Sequence, residues 1–71
     1  MENWVNIYST DQIHLAEIAK ERLFENGIHS VVVNKKDSTY LFGAIELHVK
    51  QEHALRAKHI LRGLEDPETE N

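Results

Sequence analysis

The stretch Glu25-Asn26-Gly27-Ile28, followed at once by Val31-Val32-Val33, is where this chain has least freedom. Ahead of it Leu15, Ala16, Ala19 and Leu23 recur at helical spacing, with Ile13 and Phe24 at the edges of the stripe, so a helix must stop there. Gly27 supplies the left-handed conformation that ends a helix, and Ile28 is placed to fold back as its apolar contact. Three β-branched residues then call for a strand. A polar segment, Asn34–Thr39, leads to a second strand in which Ile45, Leu47 and Val49 alternate with Glu46, His48 and Lys50. A strand over Trp4–Tyr8 precedes this block and a helix over Glu52–Leu64 follows it. The order is β-α-β-β-α, with almost no residue left over for anything else.

Ser9 and Gln12 stand at capping-box spacing before the first helix. His14, Glu17, Glu21 and Glu25 form its polar side, and Ile18 points away from the apolar stripe. In the second helix Ala54, Ala57, Leu61 and Leu64 repeat the stripe with Ile60 beside it, and Glu52 and Arg56 make an i,i+4 pair. A right-handed β-α-β crossover sets the first two strands parallel and leaves room between them for the third, which reverses direction through Asn34–Gly43. Both helices then cover the face carrying Val5, Ile7, Ile45, Leu47 and Val49. The expected fold class is an α+β, ferredoxin-like sandwich with a mainly antiparallel sheet, two helices on one face and the fourth strand absent or vestigial. The opposite face is expected to carry Trp4, Asn6, Tyr8, Val32, Glu46 and His48 without a third layer to cover it. Two large aromatics there mean either tolerated exposure or a contact surface, and the first strand at the sheet edge is an unpaired template.

Seventy-one residues make one domain, expected over 1–64. A chain this short buries only about 60% of its unfolded surface, and without cysteine it has no disulfide to compensate, so self-association would help it. Four of the twelve acids lie in the last seven positions. Residues 1–64 therefore hold eight acids against eight Lys and Arg. The acidic surplus belongs to the tail, 65–71, where Pro67 stops the helix and disorder is expected. A neutral body argues against nucleic-acid binding, which needs a basic face. No secretory signal and no membrane-length apolar run is visible, so the expected address is the cytoplasm.

Five histidines require weighing. His14 and His59 fall on outer helix faces, His53 opens the second helix, His29 lies in a turn and His48 on the open sheet face. No pair has the i,i+4 spacing of a helical site, and metal sites need three or four converging ligands, so no metal and no cofactor is expected. Ser9, Ser30 and Ser38 each have an ordinary structural place and no oriented base, and the acids sit on solvated faces, so no catalytic residue is expected. Asn34, Lys35, Lys36, Asp37, Ser38, Tyr40 and Phe42 form the candidate binding loop, with a lysine pair for an anionic group and aromatics for an apolar one. A plain hairpin connection, with Asp37-Ser38 turning the chain and Gly43 at a bulge, accounts for the same residues. The candidate oligomer face is Trp4, Asn6, Tyr8, Val32 and His48.

Trp4-Val5, Ala16-Glu17, Leu23-Phe24-Glu25-Asn26-Gly27-Ile28, the run Asn34-Lys35-Lys36-Asp37-Ser38-Thr39-Tyr40 with Phe42-Gly43 and Glu46-Leu47, and Ala57 with Ile60-Leu61 together resemble a small prokaryotic family of signal-transducing description and unknown function. The resemblance spans roughly residues 4–62. It implies a PII-like, ferredoxin-related fold and a regulatory role, with the Asn34–Gly43 connection standing where PII-like proteins carry their signalling loop. It brings no catalytic residues. The expectation is a non-enzymatic regulatory module that forms a homo-oligomer through its open face and recognises a protein or small-molecule partner through the loop. The alternative is a small-ligand or metal-ion sensor with a site between subunits around His48.

Overall fold

The structure, a computed structural model, describes residues 3–35 and 44–65. Strand β1 (Trp4–Thr10) leads to helix α1 (Ile13–Glu25), strand β2 (Ser30–Asn34) and strand β3 (Ile45–Lys50). A 3₁₀ turn (Gln51–His53) then opens α2 (Ala54–Ile60), and a single turn, α3 (Arg62–Glu65), follows. The sheet order is β1-β3-β2, with both outer strands antiparallel to β3, so the last strand lies between the first two as expected. Asp66–Asn71 and most of the binding loop lie outside the described residues.

The joint after α1 folds by a Schellman closure. The Ile28 N–H donates to the Leu23 carbonyl (2.9 Å) and the Gly27 N–H to that of Phe24 (2.9 Å), with Gly27 at φ +81°. Leu23 and Ile28 are both fully buried, which is the apolar contact that accompanies this closure. The core joins Ala19 and Leu23 of α1, Ala57 and Leu61 of the second helical segment, and Ile7, Tyr8, Leu47 and Val49 of the sheet. Both helices therefore pack on one face. The molecule measures 33 × 32 × 16 Å, a thickness of one helical layer on one sheet.

Four expectations are corrected. Ser9 does not cap α1: it is the penultimate residue of β1, and Gln12 takes the N-cap position without a side-chain cap bond. The second helix is divided, because Leu61 leaves helical geometry (φ −92°, ψ 7°). The Leu64 N–H then reaches back only three residues, to the Leu61 carbonyl at 3.0 Å, a tightening that Gly63, a weak helix former, makes easier. Glu52 lies in the 3₁₀ turn and meets His53 at 3.5 Å, so the pair with Arg56 does not form. The fourth correction concerns the two faces of the sheet.

The β1–β3 register runs Val5↔Val49 and Asn6↔His48, then resumes at Tyr8↔Leu47, with Ile7 as an extra residue. Such a bulge turns every later side chain to the other face. Tyr8 accordingly joins the core, 6% exposed. Asn6 holds the bulge from both sides: its Oδ1 accepts from the Tyr8 N–H (3.2 Å) and its Nδ2 donates to Ser9 Oγ (2.8 Å). In β2 the register pairs Val32 with Leu47, which puts Val32 against the core and turns Val31 and Val33 to the open side.

Candidate functional site

The open side follows from the register as three rows across the strands. Trp4 lies opposite Lys50, with His29 just ahead of β2 at the far end of that row. Asn6, His48 and Val31 make the next row, and Ser9, Glu46 and Val33 the third. No described element covers them. The Trp4 and His29 rings meet edge to face across the sheet, centroids 6.1 Å apart and planes at 81°, a favoured aromatic geometry.

At the centre stands Glu46. One of its oxygens, Oε1, lies 2.9 Å from His48 Nε2 and 3.2 Å from Lys35 Nζ. The side chains of Glu46 and His48 are only 20% and 16% exposed, while that of Lys35 is about half exposed. The hydrogen bond to His48 holds the Glu46 carboxyl below its ordinary range. Burial pushes it the other way, and the hydrogen bond and charge of Lys35 add to the lowering. His48 Nδ1 is buried and has no hydrogen-bond partner among the described residues. Lys35 is also the root of the loop, where its backbone N–H donates to the Ala44 carbonyl (2.8 Å) and closes the β2–β3 hairpin. A shared carboxylate thus links the base of the 34–43 connection to the middle of the open face.

Of the expected oligomer face, Trp4, Asn6 and His48 are brought together, whereas Tyr8 and Val32 belong to the helix side. Of the expected loop site, Lys35 joins this face and Asn34 is the exposed end of β2. Lys36, Asp37, Ser38, Tyr40 and Phe42 lie outside the described residues. Val31, Val33 and His29 were missed. Three consecutive valines carry no alternation from which to read a face, and the Trp4–His29 contact depends on strand order. Among the described residues no group of three or more His, Asp and Glu is placed to hold a metal ion. No described helix is long and apolar enough to cross a membrane.

The face combines a rim of aromatic edge and β-branched surface with a central carboxylate already satisfied by two cations or donors. In comparison with known proteins, residues 4–65 match the model of a family described as "putative prokaryotic signal transducing protein". No curated protein and no solved structure matches the chain.

Proposed function

The chain belongs to that family, and on that premise we propose that it is a non-enzymatic recognition module of prokaryotic signalling, acting in the cytoplasm. Its helix-covered sheet, with β3 between β1 and β2, is read as ferredoxin-like and PII-like. The partner is a protein that docks on the open sheet face and the adjoining 34–43 connection, with no bond made or broken. The observation that carries this reading is the Lys35–Glu46–His48 chain of contacts. A contact that draws Lys35 away leaves the Glu46 carboxylate to His48 alone at the centre of the sheet face, so the loop and the face respond together. Trp4, His29, Val31 and Val33 supply the apolar part of the surface, where aromatic and β-branched groups are effective anchors.

The test is quantitative affinity capture from the host's own cells with three forms of the protein. Trp4→Ala with Val33→Asp removes the face, and Leu55→Asp alters an exposed position on α2 (84% exposed). Partners retained by the wild type and by Leu55→Asp, but lost by the face variant, are the expected outcome. The same partners on all three forms would sink the proposal. Substrate turnover by the chain alone would replace it with an enzymatic reading.

A further inference from the structure

The two edges of this sheet are built differently. β1 is blunted by the bulge at Ile7 and by Asn6, which engages the Tyr8 N–H within its own strand. Bulges are among the devices that keep an edge from pairing. β2 carries no bulge. Its sequence is Ser-Val-Val-Val-Asn, uncharged and without proline, and its register with β3 is unbroken over all five residues.

The direction of its free groups can be read from one bond. Lys35 and Ala44 continue the β2–β3 register, and the Lys35 N–H donates to the Ala44 carbonyl. Bonded pairs in an antiparallel ladder recur at every second residue. Val33–Glu46 and Val31–His48 are therefore bonded pairs, and the N–H and C=O of Val32 point away from β3 to an edge that no described strand pairs, while Ser30 at the start of the strand is buried. Beside that edge α1 exposes two large apolar side chains, Ile18 (42%) and Phe24 (71%). With Glu17, Lys20, Glu21, His29 and Ser30 they line an open hollow of about 460 Å³.

We propose that this side of the molecule is a twofold interface with a second copy of the chain. β2 pairs antiparallel with β2 of the copy about Val32, giving one six-stranded sheet. An edge paired about its own midpoint is self-complementary, because each outward N–H of Val32 meets the outward C=O of the same residue in the other copy. The rim, with Glu17, Lys20 and Glu21, carries both signs of charge, so a second copy does not meet it with like charge alone. Five residues of edge are small against the roughly 800 Å² per partner of a standard interface. Ile18 and Phe24 supply the apolar area that the strand lacks. The pairing leaves the open face of each copy uncovered and stands independently of the recognition role.

Sedimentation of the full chain from about 1 μM to about 1 mM, a range that spans weak and moderate affinities, tests this together with amide exchange. A dimer is expected, in which the Val32 amide proton exchanges more slowly as dimer accumulates. Ile18→Glu with Phe24→Glu, both at exposed positions, should raise the dissociation constant roughly thirtyfold or more with an unchanged circular dichroism spectrum. Trp4→Ala should leave it unaltered. A chain monomeric throughout would overturn the proposal. So would a dimer whose Val32 amide exchanges as fast as in the monomer, or one that responds to Trp4→Ala and not to the Ile18/Phe24 pair.

Discussion

Two aromatic residues four positions apart in one strand have opposite fates here. Tyr8 is 6% exposed inside the core cluster, while Trp4 lies on the open side against His29. Truncating Tyr8 leaves a cavity in the core cluster, whereas Trp4 is already in partial contact with water. Tyr8→Ala should cost about 3 kcal/mol of unfolding free energy and Trp4→Ala about 1 kcal/mol or less, measured by urea titration. Equal costs would mean that the bulge does not form. Glu46 gives a second prediction at this scale. Its carboxyl is held below the ordinary value of 4.5 by His48 and then by Lys35, against burial. A group with a depressed folded-state pKa contributes its full stabilisation above the unfolded value and loses it as the pH falls through the folded one. The stability gap between wild type and Glu46→Gln should therefore be larger at pH 7 than at pH 3. A gap that does not change with pH would show that the carboxylate gains nothing from its neighbours.

Elements differ in how plainly their ends are written in the chain. The stop of α1 depends on four adjacent residues and one backbone angle, and Gly27, at φ +81°, meets nothing within 4 Å where a Cβ would sit. Gly27→Ala is consequently a conformational cost without a clash, expected at about 1–2 kcal/mol; a neutral substitution in thermal unfolding would contradict the Schellman closure. This joint was legible in the sequence because everything that defines it is local. So were the buried stripes of both helices and the alternation of β3, down to Ile45, Leu47 and Val49, all fully buried. β2 was legible as a strand and illegible as a face, and β1 was legible in both respects up to the bulge, with Val5 and Ile7 toward the helices, and misread only at Tyr8. Val5, Ile7 and Tyr8 are all apolar enough for either side, and only the Asn6 side chain decides where the extra residue sits. Val31-Val32-Val33 has no polar partner to break the tie, so its facing is set by the hairpin bond at Lys35–Ala44. The same dependence on pairing hid the candidate site: Lys35, Glu46 and His48 meet only once the β2–β3 register is fixed.

For the molecule as a whole, size is the controlling quantity. A domain of 71 residues with one helical layer on one face of a three-stranded sheet has a stability of only a few kcal/mol, and nothing covalent adds to it. Association through β2 would add to that stability by mass action, because the dimer binds only folded chains. Unfolding enthalpies near 0.7 kcal/mol per residue imply about 100 kcal/mol for two chains together. Each tenfold increase in protein concentration should then raise the midpoint of a coupled dimer-to-unfolded transition by roughly 5 °C. In Ile18→Glu with Phe24→Glu, whose dimer is weaker, that rise should begin only at correspondingly higher concentration. Calorimetry over two decades of concentration separates the cases. A wild-type midpoint that stays fixed would assign all of its stability to the single chain, with the straight, uncharged edge of β2 left to water.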